Sequence, residues 1–292
     1  MANRIWSGAG AAALVVLAAL SCSSSTGPSD DEGDVRNLVN DKYKAYFDDG
    51  SAYGGGKPGG DGLAGGLLAR DAEATLPLAW WRTLTYAQRT IYITLEAPYT
   101  TAGVIVEDEL HGLMYIDRSD NKVLDPGTKP FEVMRKRHAT FERPSTDEPW
   151  ELTAISPAVY SVKEEGRQTV TVISVRLMTA GGYDRTFTDM EAPIPLAELP
   201  RVAEDEEISF VVKANNTSGE GWVPKSFGFL HHDWQRYNMA DKGNQTYEGD
   251  FAVTAQPGIR HSGVSVLDAG TLQNETEDDY NADGWSLPLE VH

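Results

Sequence analysis

The hydrophobic pattern divides the chain into a helical start and a long series of strands. In the first region apolar and aromatic residues recur every three or four positions, at Val35, Leu38, Val39, Tyr43, Tyr46 and Phe47. This spacing predicts an amphipathic helix over 35–49, with Asp34 as its N-cap and Gly50 as its terminator. The pattern over 67–88 is ambiguous, and its first part fits one or two helical turns.

From Arg89 onward the hydrophobic residues no longer recur at helical spacing but alternate with polar residues, as in a strand. One face of a long extended run carries the apolar residues Val104, Val106, Leu110, Met114 and Ile116. The other face carries Glu107, Glu109, His111 and Tyr115. The next strand is marked by Phe131, Val133, Ala139 and Phe141, and a further strand covers 150–155. Alternation of this kind predicts a curved antiparallel sheet with one buried face, against which the helix packs.

The element order over 35–160 resembles a known superfamily. A helix, a helical segment and a curved meander are followed by Phe141-Glu142-Arg143 and then Trp150-Glu151-Leu152. This arrangement is similar to the nuclear-transport-factor-2-like cone fold, which polyketide cyclases and ketosteroid isomerases share. The resemblance implies an α+β cone-like domain over 35–161 with an interior pocket.

The second half of the chain shows short alternating stretches separated by turn residues. Examples are Ile173, Val175 and Leu177, then Ile208, Phe210 and Val212, and finally Trp285, Leu287, Leu289 and Val291. Strands at such intervals are typical of a β-sandwich. We therefore expect a charged linker near 161–168 and an all-β immunoglobulin-like sandwich over 167–292.

The first 22 residues have the form of an export signal. Arg4 precedes an apolar run from Ala9 to Leu20, which is shorter than the roughly 20 residues that span a bilayer. The run ends at Cys22, the single cysteine of the chain. It resembles the bacterial lipoprotein signal, although Ala19 stands where that signal usually has leucine.

The lipoprotein resemblance implies a location and an anchor. Residues 1–21 would be removed, Cys22 would carry acyl chains such as palmitate, and 22–34 would form a flexible acidic tether. The protein would then lie in the cell envelope, at an outer membrane or cell surface. The alternative is an ordinary signal peptide cleaved near Ser21, which leaves Cys22 as a free thiol.

Composition narrows the choice of partners. The chain has 292 residues, 40% of them hydrophobic, so a substantial core can form. Its net charge of −19 repels phosphate backbones, which excludes nucleic acid as a partner. The same charge repels anionic headgroups, so membrane attachment depends on the acyl chains. An envelope protein or a glycan remains as a possible partner.

One stretch near the C-terminus matches a calcium-loop pattern. Asp279-x-Asn281-x-Asp283-Gly284 is followed by Glu290 at the expected spacing. Pro288 and the alternation over 285–291 favour a strand, not the exiting helix of that motif. A smaller calcium site formed by Asp279, Asn281 and Asp283 stays open, and the alternative is a solvated acidic turn.

Two sets of polar residues are candidates for acid–base chemistry. His111 and Glu109 share one strand face, and His138 on the following strand can meet them across the sheet. Tyr43 and Trp81 are the expected walls of a pocket around them. The alternative is the ordinary solvent face of a sheet. The adjacent pair His231-His232 points to opposite faces and does not favour a metal site.

Three functions are consistent with these observations. The favoured one is a non-catalytic, membrane-anchored envelope lipoprotein with a binding or structural role. The second is a small-molecule binder or acid–base enzyme that uses the cone pocket. The third is a calcium-dependent adhesion or carbohydrate-contact module in the sandwich.

Overall fold

The computed structural model describes most of the chain after its first 28 residues. The described ranges are 29–49, 79–118, 123, 125–217, 226–232, 235–273 and 280–292. The helices within them are α1 (Ser29–Asn40), α2 (Lys44–Phe47) and α3 (Ala269–Gln273).

Sixteen β-strands lie in the described ranges. The first eight are β1 (Ala79–Glu96), β2 (Thr101–Asp117), β3 (Gly127–Glu142), β4 (Glu151–Ile155), β5 (Ala158–Val162), β6 (Val170–Thr179), β7 (Asp184–Phe187) and β8 (Ile194–Pro195). The other eight are β9 (Arg201–Val202), β10 (Glu207–Asn216), β11 (Ser226–His232), β12 (Gln235–Asn238), β13 (Ala240–Asp241), β14 (Thr246–Ala252), β15 (Gly258–Asp268) and β16 (Ala282–Val291).

These strands form two sheets. The larger has eleven strands, and its main path runs β1-β2-β3-β5-β16-β15-β11-β12. The smaller has five strands in the order β13-β14-β10-β6-β7. Neighbouring strands are antiparallel apart from β9, which pairs with β16 in the parallel sense.

The expected fold class is wrong. The described residues form a mostly β structure of two antiparallel sheets, not an α+β cone followed by a separate sandwich. The decisive feature is β16, which pairs with β5 through Trp285 and Val159. The C-terminal strands therefore extend the sheet that β1 to β3 begin. Pairing of this kind covers an edge that would otherwise expose unpaired backbone groups. Between 162 and 170 the chain passes from the larger sheet to the smaller one, and β11, β12, β15 and β16 later return to the larger sheet.

The helical predictions are correct only in part. A helix does precede the sheet, but α1 begins at Ser29, so Asp34 lies inside it and is not its N-cap. The chain turns before Lys44, and Gly50 lies outside the described residues. The ambiguous stretch resolves as strand over 79–88, because those residues belong to β1. Residues 67–78 are outside the described part.

The predicted alternation of β2 and β3 is confirmed. Even-numbered residues of β2 and odd-numbered residues of β3 are buried, and they share what we call the covered face. The remaining residues of these strands lie on the open face. In the second half one expected position differs, because a register shift in the pairing of β6 with β10 turns Ile173 outward.

The N-terminal helical segment packs on the covered face. The ring of Tyr43 meets that of Phe141 edge-on, with 5.7 Å between centroids. Val35, Val39 and Phe47 join the same apolar cluster. Burial of this apolar stripe is the main stabilisation of such short helices, which are marginal alone in water.

The opposite side of the larger sheet is covered over β16 by the five-stranded sheet. Trp285 is buried between the rings of Phe187 and Phe210, at centroid distances of 5.0 and 6.3 Å. Both faces of β16 are therefore covered, which explains why nearly all its residues are buried. Helices on one side and a second sheet on the other make β16 the centre of the fold.

Candidate functional site

Two apolar clusters on the covered face are separated by charged residues. Val104 and Val106 belong to the first cluster and Leu110 to the second. Asp108 lies between them on β2, opposite Arg135 of β3. Buried charges of this kind are tolerated only when they are paired and hydrogen-bonded.

Arg135 is held by carboxylates on two sides. Its Nε and Nη2 atoms donate to Oδ2 of Asp108, at 2.9 and 2.6 Å. Asp108 in turn accepts from Nε of Arg89 on β1 at 2.7 Å. Burial raises the pKa of Asp108, but Arg135 and Arg89 outweigh it and hold that pKa below its usual value. The remaining Nη1 of Arg135 donates to Asp49, which follows α2.

Asp49 is the most enclosed acceptor of the network, with a side chain that is 0% exposed. Its carboxylate accepts hydrogen bonds from Arg135, the Tyr160 hydroxyl and the Ser286 hydroxyl. Nη2 of Arg137 lies 3.5 Å from Oδ2 of Asp49. Burial alone raises the pKa of Asp49, but the two arginines outweigh it and keep that pKa well below its usual value.

Backbone carbonyls of α2 meet further donors on the sheet. Nη1 of Arg137 donates to the Tyr46 carbonyl. Nε2 of His261, on β15, is 2.8 Å from the Ala45 carbonyl. A carbonyl only accepts, so Nε2 of His261 carries the proton in this contact. Burial, followed by the charge of Arg137, lowers the pKa of His261 to about 4.

The two sides of this contact are chemically complementary. The sheet supplies donors from five side chains, which we call the donor pocket: Arg135, Arg137, Tyr160, Ser286 and His261. The segment 45–49 presents two carbonyls and the Asp49 carboxylate to this pocket, all of them acceptors. Its second carboxylate, Asp48, lies 2.7 Å from Nη2 of Arg89 on β1.

This network was not among the candidates from the sequence, although the sequence holds a signal for it. Arg135 and Arg137 fall in phase with Val133 and Ala139 on the buried side of β3. Charged residues in register with an apolar strand face indicate buried ion pairs, because unpaired charges are too costly there. The partner Asp49 carries no such signal.

The predicted pair His111 and Glu109 does come together, on the open face. His111 Nε2 lies 2.5 Å from Oε1 of Glu109, and its Nδ1 lies 3.4 Å from Oε1 of Glu132. Nζ of Lys163, the residue that follows β5, is 2.5 Å from the same Glu109 oxygen. Hydrogen bonds from Lys163 and His111 lower the pKa of Glu109. An acid–base role for this pair stays a prediction.

His138 does not join that pair. It lies opposite Ile105 on β2, whereas His111 lies opposite Glu132 on β3, six residues away from His138. Its Nε2 atom is 3.2 Å from Glu191, an exposed carboxylate that also contacts Lys136. The structure therefore places His138 in a separate surface pair.

Tyr43 and Trp81 lie on opposite faces of the sheet. Tyr43 packs against Phe141 on the covered face. Trp81 stacks on Tyr115 on the open face, with centroids 4.8 Å apart and ring planes 2° from parallel. These two side chains do not line a common pocket.

Asn281 and Asp283 of the calcium-like motif bind backbone amides. Oδ1 of Asn281 is 2.9 Å from the amide nitrogen of Thr169 and 3.3 Å from that of Val170. Oδ2 of Asp283 accepts from the Val172 amide at 2.6 Å. Burial raises the pKa of Asp283 to about 7.

These contacts occur where β6 has an unpaired edge. β7 pairs with β6 only over 175–178, so the earlier amides of β6 need other acceptors. Asp279 lies outside the described residues. Among the residues that are described, no group of three His, Cys, Asp or Glu is placed to hold a metal ion. Calcium binding here stays a prediction.

Two other candidates are not covered by the structure. Cys22 lies outside the described residues, and so do the side chains of His231 and His232. None of the described helices has the length and apolarity needed to cross a membrane.

Comparisons with family models, curated proteins and solved structures gave no match for this chain.

Proposed function

We propose that this chain is a lipid-anchored protein of the cell envelope whose β-rich body has a non-catalytic binding or structural role. The observation that carries this proposal is the apolar run from Ala9 to Leu20, preceded by Arg4 and followed by Cys22. A signal of this form directs export, and a cysteine at its end is the site of lipid attachment.

The contact between α1 and the rest of the protein supports a lipid anchor at Cys22. Nη1 and Nη2 of Arg143 donate to the two Asp31 oxygens at 2.8 and 2.9 Å, and the Arg143 guanidinium lies over the Trp150 ring. α1 is therefore joined to the sheet from its first turn, so only 22–28 of the expected tether precede it. A chain of that length reaches about 25 Å at most. An acyl group on Cys22 would hold the body close to the membrane.

The arrangement of charges supports a non-catalytic role. The buried charges Asp49, Asp108 and Arg135 are used in mutual pairing, which stabilises the contact between α2 and the sheet. The pair His111 and Glu109 lies on an open face among other carboxylates and Lys163. Exposed pairs of this kind are ordinary features of the solvent side of a sheet.

Cell fractionation tests the anchor. We expect Cys22→Ala to move the protein from the membrane fraction to the soluble fraction, while the matched variant Ser23→Ala stays in the membrane fraction. Mass spectrometry of the wild-type protein should show an acylated Cys22 at the amino terminus. A free thiol at Cys22, or a membrane-bound Cys22→Ala protein, would overturn the proposal.

A partner can be sought once the anchor is established. The net charge of −19 favours neutral or basic partners over nucleic acid and anionic surfaces. We expect purification from detergent-solubilised envelopes to recover an envelope protein or a glycan with the wild-type chain. Recovery of nucleic acid that survives high salt would contradict this expectation.

A further inference from the structure

The donor pocket resembles a ligand-binding site more than an ordinary surface ion pair. Four side chains of the sheet, from β3, β5 and β16, converge on the single carboxylate of Asp49. Two of the four are cations and two are hydroxyls. Several donors around one enclosed anion are typical of sites that bind carboxylates.

Both arginines of the pocket have partners on the sheet besides Asp49. Asp108 holds Arg135 through two hydrogen bonds, and Arg89 holds Asp108. Nη2 of Arg137 lies 3.4 Å from the Ser286 carbonyl and 3.3 Å from its hydroxyl. Removal of the Asp49 carboxylate therefore leaves the site assembled, with uncompensated positive charge.

The ligand of this site comes from outside the sheet. Asp49 belongs to the segment 45–49, whose described polar contacts with the sheet are made by acceptors of the segment, while Phe47 packs in the apolar core. Each described side chain of the sheet that contacts the Asp49 carboxylate does so as a donor. In this respect the segment acts as a bound peptide, held in place by the chain that precedes it.

We propose that the donor pocket is a carboxylate-binding site that the chain's own Asp49 occupies and closes. A tethered ligand has a high effective concentration, so it excludes free carboxylates in the wild-type protein. A free carboxylate ion of matching size enters when the Asp49 carboxylate is removed. This site is independent of the lipid anchor and of the function proposed above.

The test is rescue of the full-length Asp49→Ala chain by sodium formate. Alanine keeps the β-carbon, so the group that is lost has the size of formate. Binding to the folded state alone multiplies the ratio of folded to unfolded protein by 1 + [L]/Kd, which is about elevenfold at ten times Kd. We expect a saturating rise in melting temperature with formate, and none with sodium chloride at the same ionic strength.

Three control proteins test whether the rescue by formate is specific to the site left by Asp49. The wild-type protein should show no saturating response, because Asp49 fills the site. Asp49→Asn should show none, because the amide occupies the same volume. Asp184→Ala removes a carboxylate from an exposed pair with Arg176, and it should also be insensitive to formate.

Ligand size provides an independent check. Asp49→Gly lacks the β-carbon as well, so its preference should change from formate to acetate. Equal responses to both ions in the two variants, or a response to chloride equal to that to formate, would overturn the proposal.

The proposal remains testable if Asp49→Ala is unfolded without ligand. In that case the chain is refolded from urea, and folding should be recovered in formate but not in chloride. Failure to fold in formate while Asp49→Asn folds normally would refute the site.

Discussion

Asp108 and Glu109 are adjacent on β2, yet they form ion pairs of different kinds. The side chain of Asp108 is 6% exposed and pairs with Arg135, which is 10% exposed. The side chain of Glu109 is 29% exposed and pairs with Lys163, which is 41% exposed. The geometry is similar, since both pairs have nitrogen–oxygen distances near 2.6 Å. The difference is the face of the sheet on which each residue lies.

Burial decides what each pair contributes to folding. Water and dissolved ions screen charges on the open face, where exposed pairs contribute about 0–1 kcal/mol. On the covered face, removal of one partner leaves a charge that water does not reach, at a cost of about 3–5 kcal/mol. The position of a charged residue within the strand pattern therefore predicts its contribution to stability better than the contact distance does.

The largest expected effect is the loss of Arg135. Arg135→Met removes the group that joins Asp49 to Asp108, and we expect the free energy of unfolding to fall by about 3–5 kcal/mol. Urea denaturation measures the change. Lys136→Met is the matched control, because Lys136 is the next residue and contacts Glu191 on the open face. Similar losses for the two variants would refute the distinction between the faces.

The next effect concerns pH, and it involves two buried groups of opposite sign. The pKa of His261 is lowered to about 4, so its contribution is present above the unfolded value of 6.5 and is lost as pH falls toward 4. The pKa of Asp283 is raised to about 7, so its contribution is present below 3.8 and is lost as pH rises toward 7. Each change is on the order of 3 kcal/mol, and the two oppose each other in the wild-type protein.

Single substitutions separate these contributions. We expect the stability of the His261→Gln variant to fall as the pH rises from 4 to 7, because the Asp283 contribution is lost and no His261 contribution offsets it. The stability of the Asp283→Asn variant should instead increase as the pH rises over the same interval. Urea denaturation at several pH values measures both slopes. Slopes of the same sign in the two variants would contradict the assignment of either group.

A third prediction extends the comparison to the contact between the two sheets. Asn281→Ala leaves the amides of Thr169 and Val170 without their side-chain acceptor, and we expect a loss of about 1–3 kcal/mol. Asn215→Ala is the control, because Asn215 is exposed on β10. Thermal unfolding should separate the two variants clearly, and equal melting temperatures would show that the contact is dispensable.

The open face should give a smaller effect. Lys163→Met removes the cation that contacts Glu109 and Glu132, and we expect the free energy of unfolding to change by less than about 1 kcal/mol. The change should shrink further at high salt, because salt screens exposed charges. A loss as large as that of Arg135→Met would place this cluster in the same class as the buried network.

Calcium is expected to have no effect on stability. The side chains of Asn281 and Asp283 are buried and their oxygens already accept backbone hydrogen bonds, so a calcium ion would have to compete with those bonds. The melting temperature should be the same in calcium and in a chelator. A rise with calcium that Asp283→Asn abolishes would favour the calcium site instead.

The hydrophobic pattern of a strand was enough to predict its buried face but not which strands pair with it. The alternation from Val104 to Ile116 identified the buried side of β2 correctly, because the side chains of a strand alternate between its faces. Nothing in that pattern specifies that β16 pairs with β5. Strand pairing between distant segments depends on the packing of the whole chain, so the predicted separation into a cone and a sandwich missed it.

The candidate site shows the same division. The contact of His111 with Glu109 follows from residues two apart on one strand face, and the sequence alone indicated it. The contact of Asp49 with Ser286 joins residues at opposite ends of the chain. The register shift at Ile173 also cannot be predicted from the alternation of apolar and polar residues.

Side-chain periodicity was enough to identify the buried faces of β2 and β3, because it depends on neighbouring residues alone. The export signal that ends at Cys22 rests on a short contiguous motif and stays a prediction. The pairing of β16 with β5 and the contacts of Asp49 with Arg135 and Arg137 depend on the folded chain. A buried charge requires a partner nearby in space, and that partner can lie anywhere along the chain.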